Sequence, residues 1–180
     1  MALRKARAYS KKRVVPYTRT STKRQKSYIK AIPYQKIVKF HMGKTKEYNQ
    51  GKFPYHVTVY SKEKIQIRHN ALEACRQFLN GKIFKKLAGQ YYFKVCAVPH
   101  HVQRENKMLT GAGADRMSDG MRLAFGKAVG KAALINKEGK IFFFALPNEN
   151  AVRFVRKIIK QVASKLPGKI RIISEKKTKK

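Results

Sequence analysis

The chain has 180 residues, with 43 Lys+Arg against 9 Asp+Glu and a formal net charge of +34; the first carboxylate is Glu47. Self-repulsion on this scale disfavours a free-standing enzyme and calls for a polyanion to relieve it. A hydrophobic content of 43% is enough for a core and excludes a purely disordered polycation, which leaves one folded domain with basic ends, bound to nucleic acid.

Residues 1–33 read as an extended basic arm. Arg4, Lys5, Arg7, Lys11, Lys12, Arg13, Arg19, Lys23, Arg24, Lys26 and Lys30 are interleaved with Tyr9, Tyr17 and Tyr28, and Pro16 and Pro33 punctuate the run. No apolar period appears, so the arm orders only against a partner. Cations between tyrosines suit RNA, whose unstacked bases pack on aromatic rings.

A single domain is expected over 34–174, followed by a basic tail over 175–180. Gln35–Met42 alternates and predicts a strand, as do His56–Tyr60 and Lys64–Arg68. A helix should follow, capped by Asn70 with Glu73 three residues later as in a capping box. Its stripe is Ala71, Leu72, Cys75, Phe78 and Leu79, continuing to Ile83 and Leu87, and Asn80-Gly81 should weaken or end its second half. Tyr91–Val98 predicts a strand closed by Pro99. Gly130–Ile135 and Lys140–Leu146 flank Asn136–Gly139 and predict a hairpin.

Pro147-Asn148 opens a second helix with Glu149 in its first turn. Val152, Val155, Ile158, Ile159, Val162 and Leu166 form its apolar stripe; Arg153, Arg156, Lys157, Lys160 and Lys165 line the rest. Pro167-Gly168 stops it before a last strand over Lys169–Ser174. The fold class is α+β: a mainly antiparallel sheet with two helices on one face.

Cys75 and Cys96 show no metal or disulfide spacing and read as reduced core thiols, which fits a cytoplasmic compartment. The N-terminus carries no apolar run of a signal peptide, and Ile141–Leu146 is far short of the ~20 residues that span a bilayer. No membrane partner is expected.

The least typical stretch is NKMLTGAGADRMSDGMRLAFGK, residues 106–127. A Walker loop needs four residues between its glycines; Gly120 to Gly126 encloses five, and Ala128 stands where a magnesium-binding hydroxyl belongs. A dinucleotide fingerprint fails at Arg116, which occupies the third-glycine position. Asp115 and Asp119 lie near Arg116 and Arg122 and read as internal salt-bridge partners. His100 and His101 point to opposite sides of an extended chain, so they do not ligate one ion; they read as polar contacts at the loop base or as RNA-stacking groups. No catalytic constellation assembles, and no metal, cofactor or small-molecule substrate is expected.

Binding suits the loop better. Its glycines permit close backbone approach to phosphate, and Arg104, Lys107, Arg116, Arg122 and Lys127 supply cations, with Lys131 just beyond. Met108, Leu109, Met117 and Met121 either anchor the loop to the core or, for the methionines, stack on bases.

The run MLTGAGADRMSDGMRLAFGKAVGKAA, residues 108–133, closely resembles the archaeal and eukaryotic branch of large-subunit ribosomal proteins L-sixteen, also called L-ten-e. The A-G-A-D-R and G-M-R-x-A-F-G-K blocks stand here at 112–116 and 120–127. YIKAIP, ALEACRQFLN, HHVQRENKML and LPGKIRIIS resemble family segments too, so the likeness covers nearly the whole chain. The short lysine tail and the A-G-A-D-R form favour an archaeal source. The resemblance implies an α/β-hammerhead-like domain with a structural, non-catalytic role. It implies contacts with large-subunit rRNA, the 5S rRNA region and neighbouring ribosomal proteins. It also implies a loop, about 101–120, that faces the peptidyl transferase centre and the tRNA acceptor region through His101, Arg104, Asn106, Lys107, Met108 and Arg116. Charge alone equally permits a DNA-compacting protein, and glycine content alone a nucleotide-dependent enzyme; the first needs neither the loop nor a tyrosine-bearing arm.

Overall fold

The computed structural model describes residues 32–105 and 127–177. In chain order the elements are β1 (His41–Gly43), α1 (Thr45–Asn49), β2 (Tyr55–Ser61), β3 (Ile65–Arg68), α2 (His69–Leu87), β4 (Tyr92–Val95), β5 (His101–Glu105), β6 (Lys127–Ile135), β7 (Lys140–Leu146), α3 (Glu149–Val162) and β8 (Ile170–Lys176). The class is α+β, and among the described residues every strand pairing is antiparallel.

The strands form two sheets rather than the one expected: a five-stranded sheet in the order β1-β4-β7-β2-β8 and a three-stranded sheet in the order β3-β6-β5. The two share a plan. β2 leads into β3, β4 into β5 and β6 into β7, and the order β4-β7-β2 in one sheet is repeated as β5-β6-β3 in the other. Three long strands therefore run from sheet to sheet through a common corner, the device by which strands turn between packed sheets. The expected hairpin at Asn136–Gly139 is this corner: β6 and β7 do not pair, because each continues into a different sheet. Two corner segments are tied together, with Ser61 N–H donating to the Gly139 carbonyl (3.0 Å) and Glu138 N–H to the Ser61 carbonyl (2.8 Å). Ser61 is fully buried and its hydroxyl donates to the Glu63 carbonyl at 2.7 Å, satisfying the turn.

The core lies between the sheets and the two long helices. Val57, Val59, Phe93, Phe142 and Phe144 point in from the large sheet and Ile65, Ile67 and Ala133 from the small one. The Phe93 and Phe144 rings stack at 4.5 Å between centroids. Helix α3 follows its sequence pattern: Val152, Val155, Ile158, Ile159 and Val162 are buried, and Arg153, Arg156, Lys157 and Lys160 are exposed. At ~1.5–3 kcal/mol for each buried aliphatic side chain, that stripe is ample reason for α3 to pack here. It lies against α2, β2 and β7, and α2 lies against β3 and β6.

Three local expectations are corrected. Helix α2 starts directly after β3, at His69, so Asn70 falls inside the helix; no side chain caps it, and the capping box does not form. The helix runs through Asn80-Gly81 to Leu87. Leu79 and Ile83 are buried on either side of the glycine, and the gain from those two side chains exceeds its ~1 kcal/mol helix penalty. Tyr91 also ties the spot down, its hydroxyl donating to Asn80 Oδ1 at 2.7 Å. Of the strand expected over Gln35–Met42, only the end pairs with β4. Upstream, the backbone bonds to α2 side chains instead: Lys36 N–H donates to His69 Nδ1 (3.3 Å) and Val38 N–H to Glu73 Oε2 (3.4 Å), while Ile37 plugs the core.

Candidate nucleic-acid interface

The unusual loop is set on the small sheet. Its flanking residues Glu105 and Lys127 are paired directly across β5 and β6, so residues 106–126 leave and return at the far end of the bent strands. Of the candidate loop residues, Asn106, Lys107, Met108, Arg116 and Arg122 lie outside the described residues, as do the arm residues from Arg4 to Lys30. Arg104 and Lys127 have their backbones in β5 and β6. Lys131 is half-buried on β6, across from Val102.

His101 and His100 do fall on opposite sides: His100 is exposed and His101 is 1% exposed. His101 is thus a packed residue at the loop base, as one of its two expected roles has it. It belongs to a row the sequence reading missed. Strand register puts Arg68, Ala132 and His101 side by side, flanked by Gln66 opposite Leu134 and by Gln103 opposite Gly130. Gln66, Arg68, His101 and Gln103 are all buried on this one face, and Ile65, Ile67 and Ala133 occupy the other. β3 is therefore buried on both faces. A buried polar row has specific bonding requirements and so favours one defined arrangement of its side chains.

Gly130 has a steric role there. A Cβ on it would stand 3.1 Å from His69 Nε2, so glycine lets the first residue of α2 close on β6. Burial is the main reason the His69 pKa lies below 6.5, and Lys36, Arg68 and Lys131 push it the same way. The ring is held neutral, able to accept the Lys36 N–H.

The outer face of the large sheet carries a second missed feature. Tyr48 of α1 stacks on Tyr92 (4.2 Å between centroids, 8° between planes), and His56 meets Phe143 edge-on at 5.2 Å. The period-two alternation of β2 and β7 was the available signal: His56, Thr58 and Tyr60 share one side, opposite the core residues Val57 and Val59. Cations also lie against rings and a hydroxyl elsewhere on the surface. Lys86 lies over Phe154 at 4.5 Å, Lys165 over Phe78 at 4.9 Å, and Arg156 donates to Ser174 Oγ at 2.7 Å.

Burial pushes the Cys75 thiol up to about 12 and raises Cys96 as well, so neither is an activated nucleophile. Among the described residues no three His, Cys, Asp or Glu side chains gather as metal ligands, and no helix is long and apolar enough to cross a membrane.

Comparison with known proteins identifies the family. The family described as ribosomal protein L16p/L10e matches residues 16–173. A large ribosomal subunit protein uL16 from Methanococcus aeolicus is 41% identical over 175 residues, covering 96% of this chain and 94% of its own length. Its counterpart from Sulfolobus acidocaldarius is 41% identical over 174 residues (96% and 93%), and that from Pyrobaculum arsenaticum 40% identical over 179 residues (98% and 94%). Matches of this identity along nearly the full length, loop and corner included, mean that the chain belongs to the ribosomal protein L16p/L10e family.

Proposed function

We propose that the chain is a structural component of the cytoplasmic large ribosomal subunit. It binds large-subunit rRNA and helps to position tRNA near the peptidyl transferase centre. The observation that carries this reading is the near-full-length likeness to large-subunit proteins in a chain of net charge +34. The arm, from Arg4 to Lys30, supplies phosphate contacts and tyrosine stacking that anchor the protein in rRNA. Arg104, Asn106, Lys107, Met108 and Arg116 reach toward the tRNA acceptor region, and Arg122, Lys127 and Lys131 contact rRNA at the loop base. Neighbouring large-subunit proteins and the 5S rRNA region complete its surroundings.

Sedimentation tests the reading directly. The tagged protein should travel with large subunits through a gradient at physiological salt, and release to the top of the gradient would sink it. Arg116→Ala with Lys107→Ala should weaken tRNA accommodation while leaving subunit incorporation intact; deletion of residues 1–27 should impair incorporation itself.

A further inference from the structure

At the shared corner the open face of the large sheet ends in a cavity of ≈ 540 Å³, lined among others by Tyr60, Lys62, Lys137, Glu138, Arg171 and Ile173. The volume falls within the ~300–1,000 Å³ typical of ligand pockets. Tyr60 and Arg171 are direct cross-strand partners on β2 and β8, and the two lysines come from the corner segments after β2 and β6. The backbone here is held by the paired Ser61, Glu138 and Gly139 bonds, so the four groups rest on a braced frame rather than on free loop ends. Lys62, Lys137 and Arg171 are exposed, and none is in an ion pair among the described residues.

We infer that this corner is a single-stranded RNA site, holding one unpaired nucleotide with its base at Tyr60 and its phosphate among Lys62, Lys137 and Arg171. The inference rests on the ribosomal reading above and adds to it a surface distinct from the arm and the loop. An aromatic ring beside a cationic groove is how unpaired strands are gripped without a duplex. Three cations fit the phosphates of RNA, and equally the carboxylates of an acidic peptide. The ring and the apolar Ile173 fit a base and leave a peptide carboxylate nothing to do. Glu138 points the same way: a carboxylate repels both polyanions, but it accepts a hydrogen bond from the amino group of a base.

The test is zero-length cross-linking of the full chain to a single-stranded RNA decamer containing 4-thiouridine, with cross-linked peptides mapped by mass spectrometry. A cross-link on the peptide carrying Tyr60 and Lys62 is expected. Tyr60→Ala should cut its yield about tenfold, the scale of one lost base–aromatic stack, whereas Tyr60→Phe keeps the stack and should stay within about twofold. Lys137→Ala with Arg171→Ala, both at exposed positions, should also lower it. Equal losses for Tyr60→Ala and Tyr60→Phe, or cross-links confined to the arm and loop, would overturn the inference while leaving the ribosomal reading standing. So would displacement of a polyglutamate peptide, but not of the decamer, by the corner substitutions. Failure of the unaltered chain to sediment with large subunits would instead strike the ribosomal reading.

Discussion

Glu73 is the residue whose removal should be felt most widely. It is 8% exposed, and Arg76 grips it with two bonds, Nε to Oε2 at 2.7 Å and Nη2 to Oε1 at 2.6 Å. Gln77 Nε2 donates to Oε1 at 3.0 Å and the Val38 N–H to Oε2 at 3.4 Å, so one carboxylate ties α2 to the extended segment before β1. Breaking a buried pair costs ~3–5 kcal/mol because a charge is left unpaired. The Arg76 side chain is 12% exposed and recovers some water, so we expect about 2–3 kcal/mol for Glu73→Ala. For a chain of this size that is a fall in Tm of roughly 5–10 °C by calorimetry at pH 7. The Glu73 carboxyl lies below its ordinary 4.5, chiefly through the hydrogen bond from Arg76. A depressed folded pKa makes the contribution complete above the unfolded value and lost as pH falls through the folded one. The gap between wild type and variant should therefore be full above about pH 4.5 and close below it. A Tm change under ~2 °C at pH 7, or a gap that persists undiminished to acid, would refute the reasoning.

Gly43 sits at φ +85, and a Cβ there would run into the Tyr91 carbonyl, so Gly43→Ala should lower Tm by more than about 5 °C in the same assay. Asn70→Ala should be neutral or slightly stabilising by urea titration, because the buried Asn70 Oδ1 has no hydrogen-bond partner among the described residues; a loss above ~1 kcal/mol would restore the capping role. Below pH 6.5 protonation of the buried His69 should cost stability; His69→Gln should therefore show a shallower Tm decline than wild type between pH 7 and 5. Cys75 should stay unlabelled by a disulfide reagent at pH 8 until denaturant is added, since its thiol is buried and pushed up to about 12.

Those elements whose pattern arises from one buried face were legible in the sequence. Helix α3 is the clearest, because its stripe is set by burial alone and Arg153, Arg156, Lys157 and Lys160 fall on its solvent side. β2 is similar, with Val57 and Val59 inward and His56, Thr58 and Tyr60 outward. Legibility failed where long-range contacts replaced local rules. Asn70 and Glu73 have the spacing of a capping box, but Arg76 offers the carboxylate a charged, two-point partner that a backbone amide does not match, and Gln77 adds a further donor. Asn136–Gly139 has the composition of a hairpin turn. Two strands joined by such a turn pair only if they stay in one sheet, and the destination of β6 and β7 is set by the corner bonds to Ser61, far away in sequence.

The site divides along the same line. Its loop was visible as a motif, since failed nucleotide signatures and glycines among cations need no tertiary information to recognise. Its foundation was not: Gln66, Arg68, His101 and Gln103 come from two strands widely separated in the chain and meet only through register on β6. That difference bears on how the loop works. Anchoring both ends on the adjacent pair Glu105 and Lys127, at the end of strands bent through a bonded corner, limits where it can reach. Positions held on strands are more reproducible than positions on free loops. On the function proposed above, the residues that aim the loop are expected at its buried base: Gln103→Ala should weaken tRNA accommodation on large subunits while leaving sedimentation with them unchanged, and unaltered accommodation would count against this.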